Sequence, residues 1–310
     1  MEKLEYDLTR IDIKDVYIEI TDFCNFQCKH CYRLDRNHPE HKPLEQIKAN
    51  LELAVRLNAE TVIFTGGEPF AHPKFEEIIE LAFKYPFKRC VITNGSFSAP
   101  TNIEKMDVVN ISMEFYGEKQ SEYRMFSNLF GKIQKLLTSL EKKVKRNIVT
   151  TVFKENRDQY DALIDFAKNN AESIVFSHYV PIQSYPTEYS ASEYQKIIEY
   201  IKEKVDKFNS STFEIVFYEL FYYVNYPSEG IARNRCKKRL FIQNDNKYSL
   251  CPFYSKIYDT LEEVISERHK EPLPLECKTC PHIQTCHGGC PANRLHNNMA
   301  LDKRDPYCNK

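Results

Sequence analysis

Along the first two thirds of the chain, apolar residues recur with two alternating periods. Short runs rich in β-branched and aromatic residues, VYIEIT at 16–21, TVIF at 61–64 and CVIT at 90–93, read as strands, and so do 108–113, 148–153 and 173–180. Between them, apolar residues fall at three- and four-residue steps, as with Leu44, Ile47, Leu51 and Val55 inside 43–57. That spacing predicts amphipathic helices, repeated at 75–83, 129–140, 160–168 and 194–208. Strands alternating with helices about every 30 residues imply right-handed βαβ units and a parallel sheet. Six such units fall short of the eight that close a full barrel.

The pattern then changes. Pro181, Pro186 and Pro227 punctuate a stretch whose FEIVFYELFYYV segment, at 213–224, is dense in aromatics. These rings read as core or interface packing, the alternative being a lining for a bound peptide. From Arg233 onward periodicity fades and cysteine, proline and charge dominate, as in a region folded by metal. The expected division is 1–185 for an α/β core, 186–232 for a bridge and 233–310 for a small cysteine-rich domain.

Length and charge narrow the classes. The chain has 310 residues, enough for one large domain and a smaller one. A formal net charge of −1 gives no electrostatic reason to expect nucleic acid or an anionic membrane as partner. No apolar run reaches the roughly 18 residues that span a bilayer, and the N-terminus lacks a signal-peptide core, so a soluble cytoplasmic protein is expected. In a reducing compartment eleven cysteines point to ligation rather than to a disulfide framework. Three lie at 24–31, Cys90 stands apart, and seven lie between Cys236 and Cys308.

The first three, Cys24, Cys28 and Cys31, occupy the loop CNFQCKHCY in the spacing C-x3-C-x2-C, at the C-terminal end of the first expected strand. Three thiolates can hold a four-iron cubane and leave one iron open; a zinc knuckle is the plain alternative. One βα unit later, TGGEP at 65–69 follows the second strand. Its glycines let backbone approach a ligand, and its carboxylate can accept hydrogen bonds from an ammonium, though a tight strand-to-helix turn explains it too.

Together these two loops resemble those of the radical S-adenosylmethionine (radical SAM) enzymes. The resemblance implies an open (β/α)6 barrel with its chemistry at the C-terminal strand ends. It implies a 4Fe-4S cluster on Cys24, Cys28 and Cys31 whose open iron takes SAM and cleaves it to a 5'-deoxyadenosyl radical, and a SAM amino group held by Gly66, Gly67, Glu68 and Pro69. Asn94, in the TNG turn at 93–95, matches the family form, with ordinary turn chemistry as the alternative. Ser112 and Glu114 fall where relatives meet the SAM ribose, and Arg124 where an arginine meets the SAM carboxylate. Phe115 stands where the family has glycine, Gly117 coming two residues later. For Ser112, Glu114 and Arg124, solvated or capping roles are the alternative. His178 is expected either to titrate near neutral pH or to line the barrel as a hydrogen-bonded residue.

Cys277, Cys280, Cys286 and Cys290 have the spacing C-x2-C-x5-C-x3-C, which alone also suits a zinc ribbon. With Cys236, Cys251 and Cys308 the set resembles the SPASM extension, a cysteine-rich domain behind radical SAM cores that holds two auxiliary 4Fe-4S clusters. By that resemblance Cys277, Cys280, Cys286 and Cys308 serve the second auxiliary cluster, and Cys236, Cys251 and Cys290 the first. EGIARNR at 229–235 offers no cysteine as a fourth ligand, so an open or non-cysteine site is expected there. Asn246 replaces a usual glycine and is expected in a left-handed turn. Cys90 reads as a small buried apolar residue. The run Arg233, Arg235, Lys237, Lys238 and Arg239 reads as a solvated face, or as a countercharge to clusters or an acidic leader peptide.

The resemblance implies a maturase that abstracts hydrogen from a ribosomally synthesised precursor peptide and forms a thioether or carbon–carbon crosslink. It implies a flavodoxin or ferredoxin-type electron donor. With the first strand starting by Val16, no leading recognition domain is expected, and the substrate is expected to be held through the barrel mouth and extension or by a separate peptide-recognition protein. Sulfatase-maturing relatives carry an acid after the second extension cysteine, and Pro252 stands there. The competing readings are a sulfatase-maturase-like or small-molecule dehydrogenase, a peptide epimerase, and a non-catalytic iron–sulfur or zinc module.

Overall fold

Each of the six expected strands is present, and in the order that single-direction βαβ winding requires. The computed structural model describes residues 12–33, 39–180, 189–217, 238–253, 256–268, 272–286 and 288–308. Strands β1 Asp15–Thr21, β2 Thr61–Gly66, β3 Lys88–Thr93, β4 Val108–Ser112, β5 Lys145–Val152 and β6 Ser173–His178 lie side by side in sequence order, all parallel. Helices α1 Leu44–Arg56, α2 Phe75–Ala82, α3 Glu118–Arg124, α4 Leu129–Leu140 and α5 Tyr160–Asn170 connect them, and α6 Ala191–Phe208 follows β6. The result is the partial α/β barrel that the alternation predicts.

Three further strands extend the sheet. β7 Glu214–Phe217 pairs parallel with β6, so the start of the aromatic stretch at 213–224 is a strand; residues 218–224 lie outside the described ones. At the other edge β8 Arg239–Ile242 pairs parallel with β1, and β9 Tyr248–Ser249 returns antiparallel to it. The β8–β9 hairpin, inside the 233–310 segment, is thus hydrogen-bonded into the barrel's sheet. Helix α3, sequence EKQSEYR, lacks an apolar stripe, which is why periodicity does not reveal it; Gly117 at φ +69° precedes it and a left-handed Met125 ends it.

Two cores flank the sheet. The larger joins Val62, Phe64, Val91, Val109 and Ile111 to the helices. On the opposite face Ile63, Cys90 and Val108 meet across neighbouring strands with Tyr17 and Ile92 against them, so Cys90 is the small buried residue expected. Beyond the barrel come α7 Leu261–Arg268, α8 Ile283–Cys286 and α9 Pro291–His296, short helices separated by turns. Among the described residues no helix is long and apolar enough to cross a membrane.

Candidate active site

β1 runs directly into the cysteine loop, and Phe26, 2% exposed, anchors that loop by packing on Phe126 with ring centroids 5.0 Å apart. Cys24, Cys28 and Cys31 are left partly exposed, and Cys31 N–H donates to the Cys28 carbonyl at 3.1 Å. The β2 exit docks on the loop's entrance: Gly67 N–H donates to Thr21 O and Glu68 N–H to Phe23 O, both at 2.7 Å. A Cβ on Gly67 would lie 2.0 Å from Phe23 O, and one on Gly66, at φ +127°, would lie 2.3 Å from Thr21 O. The Gly-Gly pair is therefore required by backbone-to-backbone contact with the cysteine loop, whatever else it does for a ligand.

Glu68 is 1% exposed and turned inward. Its carboxylate accepts from Thr93 Oγ1 and Asn94 N at 2.7 Å and from Phe70 N at 3.0 Å, just before the turn Pro69–Ala71. Burial pushes its acid up to about 7, with those three donors pulling the other way. Asn94 Nδ2 donates to Asn25 Oδ1 at 2.9 Å and lies 4.0 Å from Cys24 Sγ, while Asn25 Nδ2 donates to Ser96 Oγ at 2.9 Å. The loops after β1, β2 and β3 form one hydrogen-bonded unit around Cys24.

The residues at the end of β4 and on α3 stand beside Cys28. Ser112 ends β4 half-buried. Glu114, 1% exposed, forms a side-on pair with Arg124, whose Nη1 points at Cys28 Sγ, 3.2 Å away. The Arg124 and His30 charges hold the Glu114 acid below its ordinary range against the opposing effect of burial. His30 Nδ1 meets Tyr123 OH at 2.7 Å, with Nε2 3.6 Å from Glu114. Phe115, where the family has glycine, is buried with Phe153 and Tyr179.

His178 does not titrate near neutral pH. Its ring lies between Tyr194 and Tyr307, centroids 4.5 and 4.9 Å away, with the Asn293 side chain beside it. Burial pushes its pKa down to about 3, so it stays neutral near pH 7.

In the C-terminal region Cys277, Cys280, Cys286 and Cys308 line a single cavity together with Arg304 and Asp305. Burial and the neighbouring Cys308 push the Cys286 thiol up to about 12 and raise Cys277 as well. Four thiols around one cavity suit an iron cluster, whose positive charge favours the thiolate form of its ligands. Among the described residues no three His, Cys, Asp or Glu side chains close on a single metal ion. A cubane binds each thiolate through a different iron and so needs a wider set. Cys290 N–H donates to Asp305 Oδ2 at 2.5 Å. Cys251 precedes Phe253, whose carbonyl contacts His296 Nε2 at 3.0 Å and whose ring meets Tyr32 edge-on at 5.8 Å. Cys236, Arg233, Arg235 and Lys237 lie outside the described residues, while Lys238 pairs with Asp12 at 2.6 Å and Arg239 lies over Tyr17.

Several structural residues of the site carry no local sequence signal. Asp305, 2% exposed, receives Cys290 N and Tyr307 N and so ties the loop of Gly288 and Gly289 to the turn bearing Cys308. Arg33 closes the cysteine loop by pairing with Glu19 and Asp22, and Asn244 from the β8–β9 turn donates to Asp22 at 2.8 Å. Asn246 has the expected left-handed φ of +64°, and its Oδ1 also receives Lys42 Nζ at 3.1 Å.

A parallel barrel with three cysteines at the end of its first strand, followed by a second cysteine set around its own cavity, defines an α/β protein with two thiol assemblies. Residues 18–167 match the model of the Radical SAM superfamily, and the barrel is a radical SAM domain with a cysteine-rich extension. The GTP 3',8-cyclase of Clostridium perfringens (strain SM101) is 27% identical over 55% of this chain, which spans only 57% of that relative's length. The cysteine-type anaerobic sulfatase-maturating enzyme of Clostridium novyi is 25% identical over 88% of this chain and 86% of its own. The crystal structure of Streptococcus suis SuiB bound to precursor peptide SuiA superposes with a TM-score of 0.76 at 16% identity, covering 96% of this chain and 76% of that one. The shared fold thus extends through the cysteine-rich region.

Proposed function

We propose that this chain is a cytoplasmic radical SAM maturase that abstracts hydrogen from a ribosomally made peptide and closes a thioether or carbon–carbon crosslink in it. The observation that carries this reading is the presence of two cysteine assemblies on one chain: three thiols at the end of β1, and four around one cavity behind the barrel. The sulfatase-maturating relative that aligns with 88% of the chain supports it, as does a fold shared with a protein crystallised with its precursor peptide.

When bound, SAM and the three 4Fe-4S clusters supply the radical and accept the surplus electron. The chain's own residues do the rest. Cys24, Cys28 and Cys31 hold the SAM-binding cluster; Gly66, Gly67, Glu68, Pro69 and Asn94 brace their loop; Ser112, Glu114 and Arg124 flank it. Cys277, Cys280, Cys286 and Cys308 hold one auxiliary cluster. Cys236, Cys251 and Cys290 hold the other, with a position left for a substrate thiolate or amide. A crosslink removes two hydrogens from the peptide, one as an atom and one as a proton with an electron, and the bound groups would supply the acceptor of the atom and of the electron. The electron that starts each turnover comes from a flavodoxin or ferredoxin-type donor, and the peptide is held at the barrel mouth and extension or presented by a separate protein.

Reduced enzyme, SAM and the short peptide encoded beside its gene should give 5'-deoxyadenosine and a peptide lighter by two hydrogens per crosslink. SAM cleavage with unchanged peptide mass sinks the crosslinking reading, and solvent deuterium at an α-carbon replaces it with epimerisation. Sulfatase-type side-chain oxidation is the second reading, favoured by the Clostridium novyi relative. Its product reacts as an aldehyde, which a crosslink does not.

A further inference from the structure

Arg124 reaches the cysteine loop at Cys28, whereas Asn94 reaches it at Cys24. Arg124 is the last residue of α3, and the left-handed Met125 turns the chain away behind it. Glu114 fixes the guanidinium by a side-on fork, with Nε donating to Oε2 at 2.9 Å and Nη2 to Oε1 at 2.7 Å. That grip sets the plane of the group and leaves the opposite edge, Nη1, directed at Cys28 Sγ, 3.2 Å away. Glu114 is itself held, its N–H donating to Gln120 Oε1 at 3.0 Å and its carbonyl receiving Asn156 Nδ2 at 3.1 Å. Arg124 and Glu114 are 7% and 1% exposed, so swinging either away would strand a charge in the interior.

We propose that Arg124 tunes the cluster held by Cys24, Cys28 and Cys31, its Nη1–H···Sγ bond withdrawing charge from the Cys28 thiolate and making that cluster easier to reduce. The inference rests on the reading of this loop as the SAM-binding cluster site, and it gives Arg124 a task apart from meeting SAM. Reduction adds one electron, supplied from outside by a one-electron donor, and hence one negative charge to the cluster. A fixed cation on a ligand sulfur favours the reduced state, and a guanidinium keeps its charge at any working pH. The Glu114 carboxylate offsets this from the far side of the guanidinium, so the two residues should act with opposite signs.

The test is an anaerobic redox titration of the full chain with its clusters, followed by electron paramagnetic resonance. The relevant signal is the one that changes on adding SAM, since only a cluster with an open iron can ligate it. Arg124→Gln should lower the ratio of reduced to oxidised cluster at a fixed potential about tenfold, or about 59 mV for one electron. Glu114→Gln, which keeps the cation and removes its countercharge, should shift the midpoint the other way. An unchanged midpoint in Arg124→Gln, or both variants moving in the same direction, overturns the proposal. Should Arg124→Gln fail to retain iron, Glu114→Gln decides alone, and a midpoint that stays or falls there overturns it. A native chain with no SAM-sensitive signal overturns the reading of the loop itself, an outcome distinct from a SAM-sensitive cluster whose potential ignores Arg124.

Discussion

The Glu68 carboxylate accepts the backbone N–H of Asn94 at 2.7 Å, so the acid of the β2 loop is committed to the β3 loop. Its acid is pushed up to about 7 in the fold, from an ordinary 4.5, chiefly by burial. A raised carboxyl pKa means that the folded chain binds the proton more tightly than the unfolded one. The stability this contributes is complete below pH 4.5 and is lost as pH rises to about 7. The loss is of the order of 3 kcal/mol. Glu68→Gln should abolish this slope, so that urea midpoints of the variant stay flat between pH 5 and 7 while those of the native chain fall. Parallel curves would show that Glu68 does not titrate in this window.

Gly67→Ala places a methyl carbon 2.0 Å from Phe23 O, where only backbone can yield. The collision lies one residue before Cys24, so the loop that should hold the first cluster must shift. We expect a cost of roughly 1–3 kcal/mol, with reduced SAM cleavage and loss of the SAM-sensitive cluster signal. Both are measured by 5'-deoxyadenosine yield and low-temperature spectroscopy after anaerobic reconstitution. Retention of both would mean that the loop adapts and that the docking of β2 on it is not needed.

These two residues also show what was legible beforehand. Six of the strands and five of the helices could be read: each helix buries one face, which writes a period into the chain, and the strands are short β-branched runs covered on both faces. TGGEP marked a tight approach, but not its object, which is the backbone of residues 21–23, some 45 positions earlier in the chain. Arg124 could be placed near SAM only by resemblance. Its contact with Cys28 depends on α3, a helix without an apolar stripe, and on Gln120, whose buried amide no local pattern announces. Asp305 and Arg33 are likewise long-range ties. His178 misled because a histidine's pKa is set by its surroundings, here two tyrosine rings from α6 and the C-terminal turn.

Asn246 allows a sharper test of position against side chain. Glycine would adopt its φ of +64° without strain, so a purely conformational role predicts that Asn246→Gly is neutral or stabilising. Yet Asn246 Oδ1 receives the buried ammonium of Lys42, which also donates to Asn50 Oδ1 at 3.0 Å and Gln243 O at 2.7 Å. Removing one acceptor of three from a 1% exposed ammonium should cost about 1–3 kcal/mol. Asn246→Gly is therefore expected to destabilise the chain in urea, and Asn246→Asp, which keeps the acceptor and adds a countercharge, to cost less than glycine does.

The cavity lined by Cys277, Cys280, Cys286 and Cys308 predicts a separable iron site. Cys308 lies near the C-terminus, three residues after Asp305, and replacing its thiol leaves the barrel's cysteine loop untouched. If three cubanes are present, iron analysis of the native chain should give about twelve atoms per chain, and Cys308→Ala about eight. SAM cleavage should survive in Cys308→Ala, because Cys24, Cys28 and Cys31 lie at the end of β1, outside that cavity. Cys28→Ala should show the converse, loss of SAM cleavage with auxiliary iron retained. Four irons in the native chain, or stoichiometric zinc, would remove the auxiliary clusters from the assignment and leave the C-terminal cysteines a structural metal site.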